Sequence, residues 1–328
     1  MIAGVHPPAV EARGLTKTFG SNRAVDGIDL TVNEGEIFGV LGPNGAGKTT
    51  VLNMLSTLSR IDSGEAKIFG YDVRREAHAV RQLIGVTGQF ASVDENLTGR
   101  ENLWLFGRLQ GLSSKKAHSI ADDLLARFDL TEAAHRPISQ FSGGMRRRLD
   151  LAASLITRPA LIFLDEPTTG LDPRTRIQMW DTIRNLVVDG STILLTTQYL
   201  DEADELADRI ALIDHGRKVA EGTPDELKAQ IGTSSLRVSL ADDADTAEAV
   251  ALAAALMRDT PIRTSTGSGF SVKLQDANQA ADVLIALRDH HLDIANAAIE
   301  QPSLDDVFMA LTGRPSETRV PETESSDS

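Results

Sequence analysis

A glycine-rich stretch of the sequence has the spacing G-x4-G-K-[ST], which in proteins binds the phosphates of nucleotides. Its members are Gly42, Pro43, Asn44, Gly45, Ala46, Gly47, Lys48 and Thr49, with Thr50 directly after them. The glycines allow backbone N–H groups to turn toward phosphate oxygens. Lys48 would neutralise the β- and γ-phosphates, and the Thr49 hydroxyl would ligate Mg²⁺. A chance match in a surface turn is the alternative, but the apolar run before the stretch and the helical spacing after it favour a nucleotide site.

Two carboxylates, Asp165 and Glu166, directly follow the apolar run at residues 161–164. Such a run is typical of a strand buried on both faces, and ligands of doubly wound sheets bind at the carboxyl ends of these strands. Asp165 would complete the Mg²⁺ shell, and Glu166 would polarise the attacking water. A solvated pair at a strand end is the alternative. The phosphate-binding stretch in the same chain favours the catalytic interpretation.

A second candidate anion site is formed by Ser142, Gly143 and Gly144, which precede a helix predicted to begin near Met145. Backbone N–H groups at a helix N-terminus bind anions. A monomer offers this site no second γ-phosphate, whereas a head-to-tail dimer does. The alternative is a glycine-rich N-cap of a structural helix.

The elements that must position these residues follow from the apolar periodicity. Buried strands are predicted at residues 37–41, 161–164, 192–196 and 209–213, and helices at 100–110, 114–128, 145–156, 174–188 and 200–206. This alternation is typical of an α/β domain, which we place at residues 8–232. The consecutive helices predict a helical block inserted at about residues 97–157.

A smaller second domain is expected beyond the polar residues 232–235. Strand and helix patterns over residues 236–312 predict a small α+β fold. Residues 313–328 are rich in Ser, Thr, Glu and Pro without apolar periodicity, so we predict an acidic disordered tail.

The composition excludes several classes of function. The 328 residues include no cysteine, which excludes disulfides, thiolate metal sites and thiol nucleophiles. The longest apolar stretch is nine residues, 249–257, about half of what spans a bilayer, and we expect neither a secretory signal nor a membrane span. A net charge of −14 argues against nucleic acid and anionic lipid as partners. Any membrane association would therefore use a protein partner.

Three consecutive arginines follow Met145. Arg146, Arg147 and Arg148 point to several sides of one predicted helix. We interpret them as a solvated face, with a contact to an acidic protein loop as the alternative.

Taken together, the motifs resemble the nucleotide-binding subunit of ABC transporters over about residues 8–230. The stretch at 42–49 is similar to the Walker A loop, residues 141–145 to the signature sequence, 161–166 to the Walker B strand, and 170–172, ending in Asp172, to the D-loop. Phe19 is similar to the aromatic residue that stacks on adenine. Gln89 resembles the glutamine that contacts Mg²⁺ and water and senses the transmembrane subunit. The resemblance implies a P-loop NTPase fold, ATP and Mg²⁺ as ligands, and a head-to-tail ATP-sandwich dimer.

Two residues depart from the family pattern. Met145 stands where the signature has glutamine, and Gln198 stands where the family has a switch histidine. A glutamine amide can donate a hydrogen bond to a γ-phosphate oxygen, but it cannot become cationic. With Glu166 present, we expect turnover to persist with weaker stabilisation of transition-state charge.

Within the ABC family, the sequence resembles the daunorubicin-resistance type of exporter subunit. The segments that carry this resemblance are residues 85–89, 145–150, 197–204 and 302–308. It implies an ATPase that powers efflux of a hydrophobic drug, antibiotic or lipid through separate permeases, bound peripherally to the cytoplasmic face of the plasma membrane. The alternatives are a soluble ABC ATPase that acts on ribosomes or DNA, and a nucleotide-dependent regulator without turnover.

Overall fold

A computed structural model describes residues 7–88, 93–231, 234–257, 260–263, 268–300 and 302–313. Of the tail predicted at residues 313–328, only Gly313 lies within the described residues. The chain divides into two compact units, and the second begins at Asp225.

The first unit contains two sheets and a set of helices. In chain order its elements are β1 (Val10–Phe19), β2 (Asn22–Val32), β3 (Ile37–Leu41), α1 (Lys48–Leu55), β4 (Ser63–Ile68), β5 (Tyr71–Asp72), α2 (Ala77–Leu83), β6 (Ile84–Thr87), α3 (Gly99–Leu109), α4 (Ser114–Arg127), α5 (Gly143–Ser154), β7 (Leu161–Asp165), α6 (Pro173–Val188), β8 (Thr192–Thr197), α7 (Leu200–Leu206), β9 (Arg209–Asp214) and β10 (Arg217–Gly222). A further helix, α8 (Pro224–Ala229), follows at the boundary between the units.

The six-stranded sheet of this unit positions the site. Its strand order is β10-β9-β3-β8-β7-β6, and all neighbours pair in parallel except β9 and β10. Every residue of β3, β7 and β8 is buried, which explains the apolar run that each strand contains. Asp165 pairs with Thr196, and Leu41 pairs with Thr197. The carboxyl ends of these three strands therefore meet at one edge of the sheet.

The four-stranded sheet, β2-β1-β4-β5, is antiparallel. Its inward residues, α1 and one face of the parallel sheet share a hydrophobic core that includes Leu15, Phe38 and Met54. A second core joins the other face of the parallel sheet to the helices and includes Phe128, Leu149 and Ile183.

The helical block lies between β6 and β7 and consists of α3, α4 and α5. A capping box begins α3, with Thr98 and Glu101 each bonded to the other's backbone N–H, and Ser113 caps α4. The predicted helix at 145–156 begins two residues earlier, because the Ser142 side chain caps a helix that includes both glycines of the signature.

The second unit is an antiparallel sheet with helices. Its elements after α8 are β11 (Ser235–Leu240), α9 (Thr246–Met257), β12 (Ile262–Arg263), β13 (Gly269–Lys273), α10 (Ala277–Asp289), β14 (Ile294–Glu300) and α11 (Leu304–Thr312). The strand order is β12-β13-β11-β14. The sheet, α9 and α10 bury one core that includes Val238, Phe270 and Val283. The predicted fold class, α/β with a small C-terminal α+β domain, is confirmed, whereas α2, α8 and α11 were not predicted.

Candidate functional site

The phosphate-binding stretch forms a loop between β3 and α1. Its glycines are required by close backbone contacts. Gly47 has φ +105°, and a Cβ atom there would lie 2.4 Å from the carbonyl oxygen of Ala24. A Cβ atom on Gly42 would lie 2.2 Å from the carbonyl oxygen of Ile213. No other residue type therefore fits these two positions without moving the backbone.

Lys48 is the first residue of α1 and is 4% exposed. Its Nζ donates to the carbonyl oxygens of Gly42 at 2.8 Å and Pro43 at 3.1 Å, and it lies 3.6 Å from Oε1 of Glu166. Burial lowers the pKa of Lys48, and the neighbouring carboxylates of Glu166 and Asp165 oppose this effect. The Lys48 ammonium is therefore hydrogen-bonded mainly to backbone carbonyls of the same loop.

The two carboxylates lie at the end of β7, against the beginning of α1. Oδ1 of Asp165 accepts hydrogen bonds from the hydroxyls of Thr49, at 3.1 Å, and of Thr196. Glu166 has φ +48°, and its N–H donates to the backbone oxygen of Thr196 at 3.1 Å. Both carboxylates are less than a tenth exposed. The fold therefore brings Lys48, Thr49, Asp165 and Glu166 together, although 116 residues separate Thr49 from Asp165.

The signature residues lie at the beginning of α5. Ser142 and Gly143 are exposed, and the Ser142 hydroxyl accepts from the N–H of Met145 at 3.2 Å. Gly144 packs on Thr175, because a Cβ atom at position 144 would lie 2.5 Å from Thr175 Cγ2.

Asp172 caps α6 and holds Thr175 in place. Its carboxylate accepts from the Thr175 N–H at 3.0 Å and from the Thr175 hydroxyl at 2.6 Å. These hydrogen bonds lower the pKa of Asp172. The signature and the D-loop residue are therefore linked through Thr175.

The remaining predicted site residues are less constrained. Phe19 ends β1 with 54% of its surface exposed, and Lys17 Nζ lies 5.4 Å from the ring centroid. Gln198 directly follows β8 and is half-buried. Asn44 and Gly45 are exposed in the loop, Ala46 is buried, and Thr50 is half-buried in α1. Gln89 lies outside the described residues.

The interpretation of the three arginines as a solvated face was wrong for Arg147. Its side chain is 14% exposed and donates to four backbone carbonyls near the carboxylates. A run of like charges gives no signal of this contact, because carbonyl acceptors leave no trace in the sequence.

Glu202 on α7 is a second group that the sequence did not single out. It is fully buried, and its Oε1 accepts from the Thr168 hydroxyl at 2.7 Å and from the Trp180 indole at 3.2 Å. Burial raises the pKa of Glu202, and the hydroxyls and the indole that contact it oppose the rise.

Two family models match the chain. The model described as "ABC transporter" matches residues 25–169, and the model described as "ATP-binding protein DrrA1-3-like, C-terminal domain" matches residues 222–312. The first range contains the phosphate-binding loop, the signature and both carboxylates.

Relatives match over nearly the whole chain. The daunorubicin/doxorubicin resistance ATP-binding protein DrrA of Streptomyces peucetius is 52% identical over 96% of this chain and 95% of its own. The doxorubicin resistance ATP-binding protein DrrA of Mycobacterium tuberculosis is 44% identical over 94% of this chain and 95% of its own. The Nod factor export ATP-binding protein I of Burkholderia lata is 39% identical over 93% and 97%.

Solved structures match about two thirds of the chain. One is an ATP-binding subunit of an ABC transporter, with a TM-score of 0.61 and 26% identity over 68% of this chain and 92% of that chain. Another is a dimeric ATP-binding cassette in a post-hydrolysis state bound to ADP and Pi, with a TM-score of 0.60 and 27% identity over 65% and 98%.

Proposed function

Because the chain belongs to the ABC transporter family, as an exporter ATP-binding subunit of the daunorubicin-resistance type, we propose that it hydrolyses MgATP at the site around Lys48, Asp165 and Glu166. A second copy would complete each site, and separate membrane permeases would use the reaction to export a hydrophobic compound.

The observation that carries this proposal is the convergence of four side chains at one sheet edge. Lys48 Nζ lies 3.6 Å from Glu166, and Thr49 Oγ1 lies 3.1 Å from Asp165. A triphosphate in the loop would draw the Lys48 ammonium away from the carbonyls of Gly42 and Pro43, because phosphate oxygens are the stronger acceptors for a cation.

The donor set at this edge suits Mg²⁺. Magnesium prefers hard oxygen ligands and is held by one or two carboxylates together with phosphate oxygens and waters. Asp165 and the Thr49 hydroxyl offer two such oxygens. Within the described part of the chain, no group of three or more His, Cys, Asp or Glu forms an all-protein metal cage. Bound there, Mg²⁺ would neutralise phosphate charge.

Hydrolysis would depend on Glu166, Lys48 and Gln198. Glu166 would orient the attacking water and accept its proton. Lys48 would bind the transferred phosphoryl group electrostatically. Gln198, which follows the strand beside β7, would donate an amide hydrogen bond to a γ-phosphate oxygen. By family resemblance, Gln89 would contact Mg²⁺ and water, and Phe19 would stack on adenine.

The exposed signature supports a composite site between two copies. Ser142 and Gly143 face solvent at the beginning of a helix of twelve residues, where backbone N–H groups favour an anion. The Ser142 hydroxyl oxygen accepts a hydrogen bond from the Met145 N–H, and the hydroxyl proton remains available to donate to a phosphate. In a head-to-tail dimer, the signature of each copy would cap the nucleotide held by the other, with Asp172 nearby.

The transport role rests on the relatives. Their names assign them resistance to daunorubicin and doxorubicin, or export of Nod factors. None of the helices that the structure describes combines the length and apolar character that crossing a bilayer requires. From the relatives' names, we propose that the chain binds permease subunits at the cytoplasmic face of the plasma membrane, with a drug, antibiotic or lipid as the transported compound.

The decisive experiment compares Glu166→Gln with the wild-type protein in MgATP. The wild type should release phosphate, whereas Glu166→Gln should retain ATP and accumulate as a dimer in light scattering. The matched control is Glu34→Gln, since Glu34 is an exposed carboxylate. Phosphate release by the wild type no higher than by Glu166→Gln, even with its permeases present, would contradict the proposed hydrolysis.

The transport claim has its own test. Affinity purification of the chain in detergent should recover a multi-span membrane partner that stimulates phosphate release. Recovery of ribosomes or DNA in its place would assign the chain to the soluble ABC ATPases.

A further inference from the structure

Arg147 occupies an unusual position for a guanidinium group. It lies on α5, five residues after the signature serine, with its side chain only 14% exposed. Its Nε donates to the carbonyl of Pro167 at 3.0 Å, and its Nη1 donates to that of Gly88 at 2.6 Å. Its Nη2 donates to the carbonyls of Asp165 at 2.7 Å and Glu166 at 2.8 Å.

These four acceptors belong to the segments that end β7 and β6. Three of them are consecutive residues, so the planar fork of the guanidinium fixes the direction of successive peptide groups. Burial lowers the pKa of Arg147, and the carboxylate of Asp150, 4.0 Å away, opposes this effect. The carbonyl bonds explain why the cation can remain buried.

The contact is centred on a residue with a constrained backbone. Glu166 has φ +48°, a left-handed conformation that is unfavourable for a residue with a side chain. Its N–H is held by Thr196 and its carbonyl by Arg147. These two hydrogen bonds keep the peptide in the conformation that directs the Glu166 carboxylate toward Lys48.

The neighbouring arginines do not make this contact. Arg146 bonds to the carboxylate of Glu95 at 2.8 Å and to the carbonyl of Ser139. Arg148 bonds to the carbonyl of Phe128. Arg147 alone of the three reaches the carboxylate strand.

We propose that Arg147 is a positioning residue that couples the two ATP sites of the dimer. The inference rests on the proposed function, in which the beginning of α5 contacts the nucleotide held by the partner. A displacement of α5 by that nucleotide is transmitted through Arg147 to the peptide of Glu166 in the same chain. Each site then reaches its hydrolytic geometry only when the other is occupied, and hydrolysis is cooperative in ATP.

The test measures phosphate release against ATP concentration for full-length wild type, Arg147→Gln and the matched control Arg146→Gln. Two coupled sites give a Hill coefficient of at most about 2. We expect wild type and Arg146→Gln to approach this value, and Arg147→Gln to fall to about 1. The kcat of Arg147→Gln should also fall about tenfold, which corresponds to about 1.4 kcal/mol on the barrier. Binding of a fluorescent ATP analogue at protein concentrations that favour the monomer should be equal in all three. A merely structural role for Arg147 would alter that binding and leave the Hill coefficient unchanged.

A second variant, Arg147→Lys, keeps the inference testable if Arg147→Gln fails to fold. A lysine retains the charge but cannot bridge four carbonyls, so its Hill coefficient should also fall. Full cooperativity in either Arg147 variant would overturn the inference while leaving the proposed hydrolysis intact. A wild type that hydrolyses ATP with a Hill coefficient of 1 would do the same. A wild type without hydrolysis would contradict the proposed function, and the inference with it.

Discussion

The contact between Gly144 and Thr175 predicts a substitution and its rescue. In Gly144→Ala, the new Cβ atom would lie 2.5 Å from Thr175 Cγ2, which is 0.9 Å short of the 3.4 Å at which ordinary contact begins. Thr175 cannot rotate away freely, because its hydroxyl and its N–H are both bonded to Asp172. The beginning of α5 must therefore move away from α6.

The magnitude follows from two opposing effects. Overpacking of a well-packed contact costs about 1–3 kcal/mol. Replacing glycine by alanine in a helix returns up to about 1 kcal/mol. With the full helix gain, the net loss is up to about 2 kcal/mol. A loss of about 1.4 kcal/mol that falls on the nucleotide-bound dimer reduces kcat/KM about tenfold.

The rescue is Thr175→Ser, which removes the Cγ2 methyl group and keeps the hydroxyl that bonds to Asp172. We expect Thr175→Ser alone to remain within about threefold of wild-type ATPase activity, and the double variant to recover to about the same level. The assay is steady-state phosphate release. A double variant as impaired as Gly144→Ala would refute the reasoning, because it would show that the glycine is needed for something other than Thr175.

Three further predictions concern single residues. Gly47→Ala should abolish ATP binding in a fluorescence titration, because its Cβ atom would lie 2.4 Å from a carbonyl oxygen; measurable affinity would contradict the close contact. Gln198→His should raise kcat about fivefold near neutral pH, because a charge-assisted hydrogen bond exceeds a neutral one by about 1 kcal/mol; an unchanged kcat would place residue 198 away from the γ-phosphate. Burial raises the pKa of Glu202, so the stability that its bound proton provides is complete below the pKa of the unfolded chain and is lost as pH rises through the native pKa. In urea unfolding, the free energy of unfolding of Glu202→Gln relative to the wild type should therefore rise with pH in that window, by at most about 1.4 kcal/mol per pH unit. Parallel pH profiles for the two proteins would contradict this assignment.

The local elements and the motif positions were predictable from the sequence because both depend on short-range patterns. The helix predicted at 174–188 begins at Pro173, one residue earlier, and the strand predicted at 161–164 extends by Asp165. The apolar run of β7 placed Asp165 and Glu166 at a strand end, and the parallel arrangement then placed them near Lys48. That last step required no knowledge of side-chain geometry.

The contacts that complete the site were not predictable in this way. Arg147 is bonded to carbonyl oxygens, and every residue type supplies a carbonyl, so the sequence holds no complementary partner to detect. Glu202 lies on an acidic helix that follows a strand, and an acidic helix predicts a solvent-exposed face. The Glu202 side chain is instead fully buried in contact with Trp180 and Thr168. The contacts of both residues depend on which segments the tertiary fold brings together, and local periodicity does not predict these segments.

The conformation of Glu166 shows why those contacts matter. A non-glycine residue in the left-handed region costs about 1–3 kcal/mol, and it persists only where its surroundings fix it. Here the fixing groups come from β8, through Thr196, and from α5, through Arg147. Glycine at position 166 would relieve the backbone strain but would also remove the carboxylate that is proposed to activate water. The conformational cost therefore accompanies the residue proposed as the base. In the proposed dimer, the helix whose first residues would contact the partner's nucleotide also supports, through Arg147, the Glu166 peptide of its own chain. A substitution that moves α5 would then alter both of these proposed roles together.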